Sequence, residues 1–104
     1  MNHTELQQEF EQTVRRHFQT ALQDYRIQNP RFLRQADRSG GVAAAKAQIS
    51  RGESESFEAL YAAGRLDLSL ESAVVSSRYH PLFTDDEVDR CLALLCGAGY
   101  FQLP

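Results

Sequence analysis

The amino-acid sequence predicts an all-α fold, a compact single domain of five or six short helices covering residues 1–104. Three observations lead there. Apolar side chains recur at three- and four-residue steps, the period of one helix face, through most of the chain. Helix-starting and helix-stopping residues punctuate those runs. The alternating apolar and polar pattern of a half-buried strand is missing at any useful length, as are internal repeats and low-complexity tracts. With 104 residues, 42% hydrophobic and 24% charged, the chain is large enough to bury roughly two thirds of its unfolded surface. It is too small to favour a deep enclosed pocket.

The first helix is expected from about Thr4 to Tyr25, with Leu6, Phe10, Val14, Phe18, Leu22 and Tyr25 on one inward stripe. Glu5, Glu9 and Glu11 stand toward the positive end of its dipole and Arg15, Arg16 and Arg26 toward the negative end. Asn29-Pro30 supplies an N-cap and a first-turn proline for a second helix, with Phe32, Leu33 and Ala36 inward, and Ser39-Gly40-Gly41 stops it. A third, alanine-rich helix runs from Val42 to about Ser50, packing through Val42, Ala45 and Ile49. Gly52 ends it.

Ser54 is read as the cap of a fourth helix carrying Phe57, Leu60 and Tyr61. Gly64 takes the left-handed position that closes it, and Leu66 folds back on its last turn. Asp67-Leu68-Ser69 caps a fifth segment, about Leu70 to Ser76, with Leu70, Ala73 and Val74 inward. The sharpest local signal is Phe83-Thr84-Asp85-Asp86-Glu87-Val88, in which Thr84 and Glu87 form a capping box and Phe83 and Val88 a hydrophobic staple. Val88, Cys91, Leu92 and Leu95 continue the stripe. Gly97 and Gly99 then release the chain into Tyr100-Phe101.

Charge is strongly segregated. Between Arg15 and Arg51 lie eight basic and two acidic side chains, a local charge of +6, flanked by −3 over residues 1–14 and −6 over residues 52–104. Segregation of this kind decides which surfaces attract one another and says little about fold. Arg31, Arg34, Arg38 and Lys46 from the basic segment, and Asp85, Asp86 and Asp89 from the last helix, are therefore the candidate partner-binding residues.

The chemistry-bearing residues do not converge in sequence. His3, His17 and His80 are far apart, His17 and His80 read as surface residues, and no nucleophile signature accompanies them. Asp85, Asp86, Glu87 and Asp89 sit where a helix N-terminus favours carboxylates without any metal, and the spacing lacks the calcium-loop glycine. Gly40-Gly41 reads as a turn pair, since no strand precedes it and neither nucleotide fingerprint is complete. Cys91 and Cys96 stand about 140° apart on one helix, so they do not pair and are read as buried thiols. No catalytic group, metal or cofactor is expected. The N-terminus has no signal-peptide pattern and no 18-residue apolar stretch occurs, which points to the cytoplasm and away from the membrane.

The ordered series Tyr25, Arg31-Phe32-Leu33, Gly40-Gly41-Val42-Ala43-Ala44-Ala45-Lys46, Phe57-Glu58-Ala59-Leu60, Gly64-Arg65-Leu66-Asp67-Leu68-Ser69-Leu70-Glu71, Tyr79-His80-Pro81-Leu82-Phe83-Thr84-Asp85-Asp86-Glu87 and Gly99-Tyr100 resembles a family of small uncharacterised bacterial proteins and domain tails. The resemblance covers about Leu22 to Tyr100 and implies no activity. That family has a second apolar residue where this chain has Ser50 and Arg51, which implies a shorter third helix here. As a small, acidic, single-domain chain it is also similar in profile to phage and mobile-element anti-CRISPR proteins. The expectation is a non-enzymatic protein-binding module acting in a bacterial host cell, in its sharper form a stoichiometric inhibitor of a CRISPR-Cas effector. The alternative is a small helix-turn-helix-like DNA-binding regulator using the basic segment 15–51. Phe32 to Ile49 reads as helix, glycine turn, helix, but Lys46 stands where that motif wants an apolar residue, and Ala43, Ala44 and Ala47 cannot read purine edges.

Overall fold

A computed structural model describes residues 3–100 of the chain. Six α-helices follow in order: α1 His3–Tyr25, α2 Pro30–Ser39, α3 Gly41–Ile49, α4 Phe57–Ala62, α5 Leu70–Val74 and α6 Asp85–Gly97. Single 3₁₀ turns occupy Leu66–Leu68 and His80–Leu82, and no strand occurs among the described residues. The predicted Phe101 lies outside them. At about 1.5 Å per residue, the 23 residues of α1 span roughly 34 Å, matching the long dimension of a domain 34 × 32 × 24 Å across. α3, α5 and both 3₁₀ turns pack directly on that rod, while α2 packs chiefly on α3, and α6 on α5 and α3.

The inward stripe of α1 serves two clusters. Phe10, Val14 and Phe18 enter the main core with Phe32 and Ala36 of α2, Ala44, Ala45 and Ile49 of α3, Leu70, Ala73 and Val74 of α5, and Cys91 of α6. Phe10 meets the rings of Tyr79 and Phe83 edge-on at 5.3 and 5.2 Å, and Phe18 meets Phe32 the same way at 5.2 Å. Such edge-to-face pairs add about 0.5–1.5 kcal/mol each beyond the area they bury. Nearer the far end of α1, Ala21 joins Phe57, Leu60, Leu66, Leu68 and Leu95 in a second cluster.

The two adjacent glycines between α2 and α3 serve different ends. Gly40, at φ 91°, takes the left-handed turn that separates the helices. Gly41 makes room: a Cβ there would stand 2.6 Å from the Glu11 Cβ and 3.1 Å from its Cα. The N-terminus of α3 therefore rests on the backbone of α1, and the Gly41 N–H donates to Glu11 Oε1 at 2.6 Å. At the end of α1 the left-handed position falls to Arg26, at φ 59°, a conformation that costs a non-glycine residue about 1–2 kcal/mol.

Several caps differ from expectation. Asn29 occupies the N-cap position of α2 but its side chain makes no capping bond. Glu55 does that work from a distance, accepting from the Arg31 N–H at 3.0 and 3.2 Å while Gln48 braces it. Ser56, not Ser54, precedes α4. Ser54 is buried and donates through its N–H and hydroxyl to Glu71, both at 2.7 Å. Burial pushes the Glu71 carboxyl upward despite those two donors. Ser69 caps α5 through the Ser72 N–H, and the capping box of Thr84 and Glu87 is complete. α3 starts one residue earlier than predicted, α5 ends two residues sooner, and Tyr61 and Leu92 face solvent instead of the core. Cys96 is exposed as well, and only Cys91 is the buried thiol the helical stripe implies.

Gly41→Ala is expected to cost about 1–3 kcal/mol through overpacking against α1. Gly97, inside α6 with no atom within 4 Å of the place a Cβ would take, is the control, and Gly97→Ala should hold or raise stability by up to about 1 kcal/mol. Urea denaturation of both variants measures the contrast, and equal effects would contradict the close approach of α3 to α1.

Candidate functional site

The structure sorts the basic segment into engaged and unengaged cations. Arg15 bonds Glu11 at 3.0 Å and Asp37 at 2.9 Å, linking α1 to α2. Lys46 reaches Glu87 at 2.7 Å and lies 5.3 Å from the centre of the Phe83 ring, tying α3 to the first turn of α6. Beyond the segment, Arg65 forks onto Asp67 and donates to the Tyr25 hydroxyl. Arg78 pairs with Glu9, which also accepts from the Tyr79 hydroxyl at 2.8 Å. Each of these cations joins two elements or stiffens a turn.

Arg31, Arg34 and Arg38 behave otherwise. Their side chains are exposed and no ion pair or side-chain hydrogen bond engages them among the described residues. At 3.6 residues per turn they fall within about 60° of one another on α2, across the helix from buried Phe32 and Ala36. The one carboxylate on α2, Asp37, is already held by Arg15. Arg31 in the first turn also opposes the helix dipole, so its placement does not serve α2 itself.

The seven residues singled out from sequence therefore divide. Arg31, Arg34 and Arg38 form one cationic face on α2. Lys46 joins the acidic end of α6, where it pairs with Glu87, and does not extend the arginine face. Asp85, Asp86 and Asp89 are exposed around that same helix start, with Asp85 and Asp86 in the first turn where the dipole favours them.

Beside the arginine face lies a groove formed by residues whose periodicity predicts burial. The end of α1 and the start of α2 leave an apolar trough of about 380 Å³ lined by Phe18, Leu22, Ile27, Pro30 and Leu33, with Asn29 among them. Leu22 and Tyr25, expected inside, are 41% and 38% exposed. The physical reason is geometric: the stripe of α1 outruns the elements that pack on it, because the chain reverses at Arg26 and α2 departs. Asn29 is only 3% exposed, yet neither its side-chain nitrogen nor its oxygen has a hydrogen-bond partner. Leaving such a group unsatisfied costs about 1–3 kcal/mol.

Reactive groups do not gather. His17 is half-buried, contrary to its reading as a surface residue, and burial holds its imidazole below the ordinary range. His80 is exposed and opens a 3₁₀ turn, with Nε2 3.0 Å from the Val75 carbonyl oxygen. Burial pushes the Cys91 thiol up to about 12, far from a nucleophile's range. Among the described residues no group of three or more histidine, cysteine or acidic side chains has metal-site geometry, and no helix is long and apolar enough to cross a membrane. No family model, curated protein or solved structure matches the chain.

The Arg78 guanidinium and the Tyr79 hydroxyl hold Glu9 down to about 2, from an ordinary 4.5. A depressed carboxylate stabilises the fold above its unfolded value and loses that contribution as pH falls. Glu9→Gln should thus be less stable than the parent at pH 7, with the gap closing as the pH drops from 4.5 toward 2. Denaturation midpoints across that interval test it. A constant gap would mean the Glu9 clamp does not form.

Proposed function

We propose that this chain is a non-enzymatic protein-binding module that meets its partner through the arginine face of α2. One observation carries the reading: among the described residues, three guanidiniums that form no ion pair share one exposed face, whereas Arg15, Lys46, Arg65 and Arg78 are engaged internally. The other arginines without an ion pair or side-chain hydrogen bond there, Arg26, Arg51 and Arg90, stand on separate segments. A face of that kind complements an acidic surface, and arginine forks suit carboxylates.

A protein partner fits this surface better than a DNA duplex. In a helix-turn-helix reader α3 would enter the major groove, but α3 packs against α1, α2 and α6. Lys46 is held by Glu87, Gln48 by Glu55, and Ala44, Ala45 and Ile49 are buried. Ala43 remains exposed on that helix, and a methyl group reads no purine edge. The net charge of −3 further disfavours phosphate backbones outside the basic face.

In its sharper form the partner is a subunit of a CRISPR-Cas effector in a bacterial host cell, and the chain is its stoichiometric inhibitor. The small, acidic, single-domain make-up supports that form. Purified chain titrated into effector assays, type I systems first, should abolish activity near equimolar ratio through a one-to-one complex. Arg31→Glu, Arg34→Glu and Arg38→Glu combined should dissolve the complex, and the chain alone should not retain duplex DNA near physiological salt. Salt-sensitive duplex binding lost in the same variant would favour the regulator. Full binding by the charge-reversed chain would remove the arginine face from the contact.

A further inference from the structure

We infer that the trough between the end of α1 and the start of α2 receives an extended acidic and apolar segment of the partner protein, its main chain clamped by Asn29. The inference rests on the protein-binding reading above and names the chemistry of what is bound. Its volume of about 380 Å³ falls in the range of ligand-sized sites, ~300–1,000 Å³. Its walls are Phe18, Leu22, Ile27, Pro30 and Leu33, which suit one bulky apolar side chain.

Two further observations select a peptide. A carboxamide offers a donor and an acceptor side by side, the same pair that a backbone amide presents. Asn29 has both groups unused and shielded from water in the unbound protein. Turning that amide to meet a bound main chain exchanges an unsatisfied buried group for two hydrogen bonds. Charge then sets the character of the segment. Around α2 the order runs from Leu33 past Asp37 to Pro30 and on to Arg34, Arg38 and Arg31, so the trough grades directly into the cationic face. Because Arg15 already neutralises Asp37 and Glu55 is occupied by the Arg31 N–H on the far side of the arginine face, carboxylates flanking the apolar anchor would meet Arg34 and Arg38 first, with Arg31 beyond them.

A random 12-residue peptide library displayed on phage and selected on the intact, folded chain tests this. Enriched peptides should combine a bulky apolar residue with flanking carboxylates. Synthesised and measured by fluorescence anisotropy, they should lose roughly tenfold or more in affinity for Arg34→Glu/Arg38→Glu and for Asn29→Ala. Asn29→Ala removes no existing side-chain bond and relieves an unsatisfied buried amide, so its circular dichroism melt should equal or exceed the parent's. Asp85→Lys/Asp89→Lys should bind like the parent, and amide shifts on titration should centre on Leu22, Ile27 and Leu33. Absence of enriched peptides, or enriched peptides indifferent to the trough variants, would overturn the inference. Peptides sensitive only to the α6 reversals would do the same while leaving the protein-binding reading standing. A full partner complex that fails to form would count against that reading instead.

Discussion

The contact between Glu11 and Gly41 holds the architecture together, because it fixes three helices at one point. α3 rests on α1 closely enough that only a hydrogen fits at the Cα of Gly41. The Glu11 carboxylate receives one of the orphan N–H groups of α3 and, through its other oxygen, the Arg15 guanidinium, which passes the linkage to Asp37 on α2. A helix of nine residues has little stability alone. Seated on α1 and covered by α2 and α6, it becomes the centre of the main core. The rotation of α2 follows from this seating, and with it the outward direction of Arg31, Arg34 and Arg38.

Electrostatics then divides into two kinds of charge. Glu9 with Arg78, Glu11 with Arg15, and Glu87 with Lys46 form junctions in which each carboxylate also takes a neutral donor: the Tyr79 hydroxyl, the Gly41 N–H and the Thr84 N–H respectively. These are hydrogen-bonded junctions more than isolated surface pairs, which contribute little. Glu55 and Glu71 play a related part without cations, one capping α2 from the connection between α3 and α4 and the other holding Ser54 in the interior. Unengaged on the basic side, among the described residues, are Arg26 and Arg51, each in a connection, and the three arginines gathered on the outer face of α2, with the apolar trough along its edge. The overlap of surplus cations, exposed leucine and an unsatisfied amide in one place is what turns a charge pattern into a surface.

Much of the fold is legible locally. Thr84 and Glu87 name the start of α6 because a capping box is read within four residues, and Gly64 closes α4 with the paired bonds of Arg65 N–H to Leu60 and Gly64 N–H to Tyr61. The misreadings concern partners remote in sequence. Asn29 resembles a cap because its neighbours allow one, but Glu55 arrives from 24 residues away. Ser54 resembles a cap too, but Glu71, 17 residues on, claims both its donors. Leu22 and Tyr25 continue the period of α1 faultlessly, and periodicity does not reveal that the covering helices stop short. The arginine face is legible in the spacing of residues 31, 34 and 38. The trough beside it is signalled only by a stripe longer than its neighbours can cover.

The central claim is that the α2 arginines are surplus to folding and available to a partner. Its most direct measure is the stability of the chain with Arg31→Gln, Arg34→Gln and Arg38→Gln together, compared with the parent by urea denaturation at neutral pH and low salt. Removing exposed like charges from one face should leave stability within about 0.5 kcal/mol of the parent, or raise it. A loss beyond roughly 1.5 kcal/mol, outside what exposed positions without partners produce, would show these arginines bound up in the fold and contradict the account.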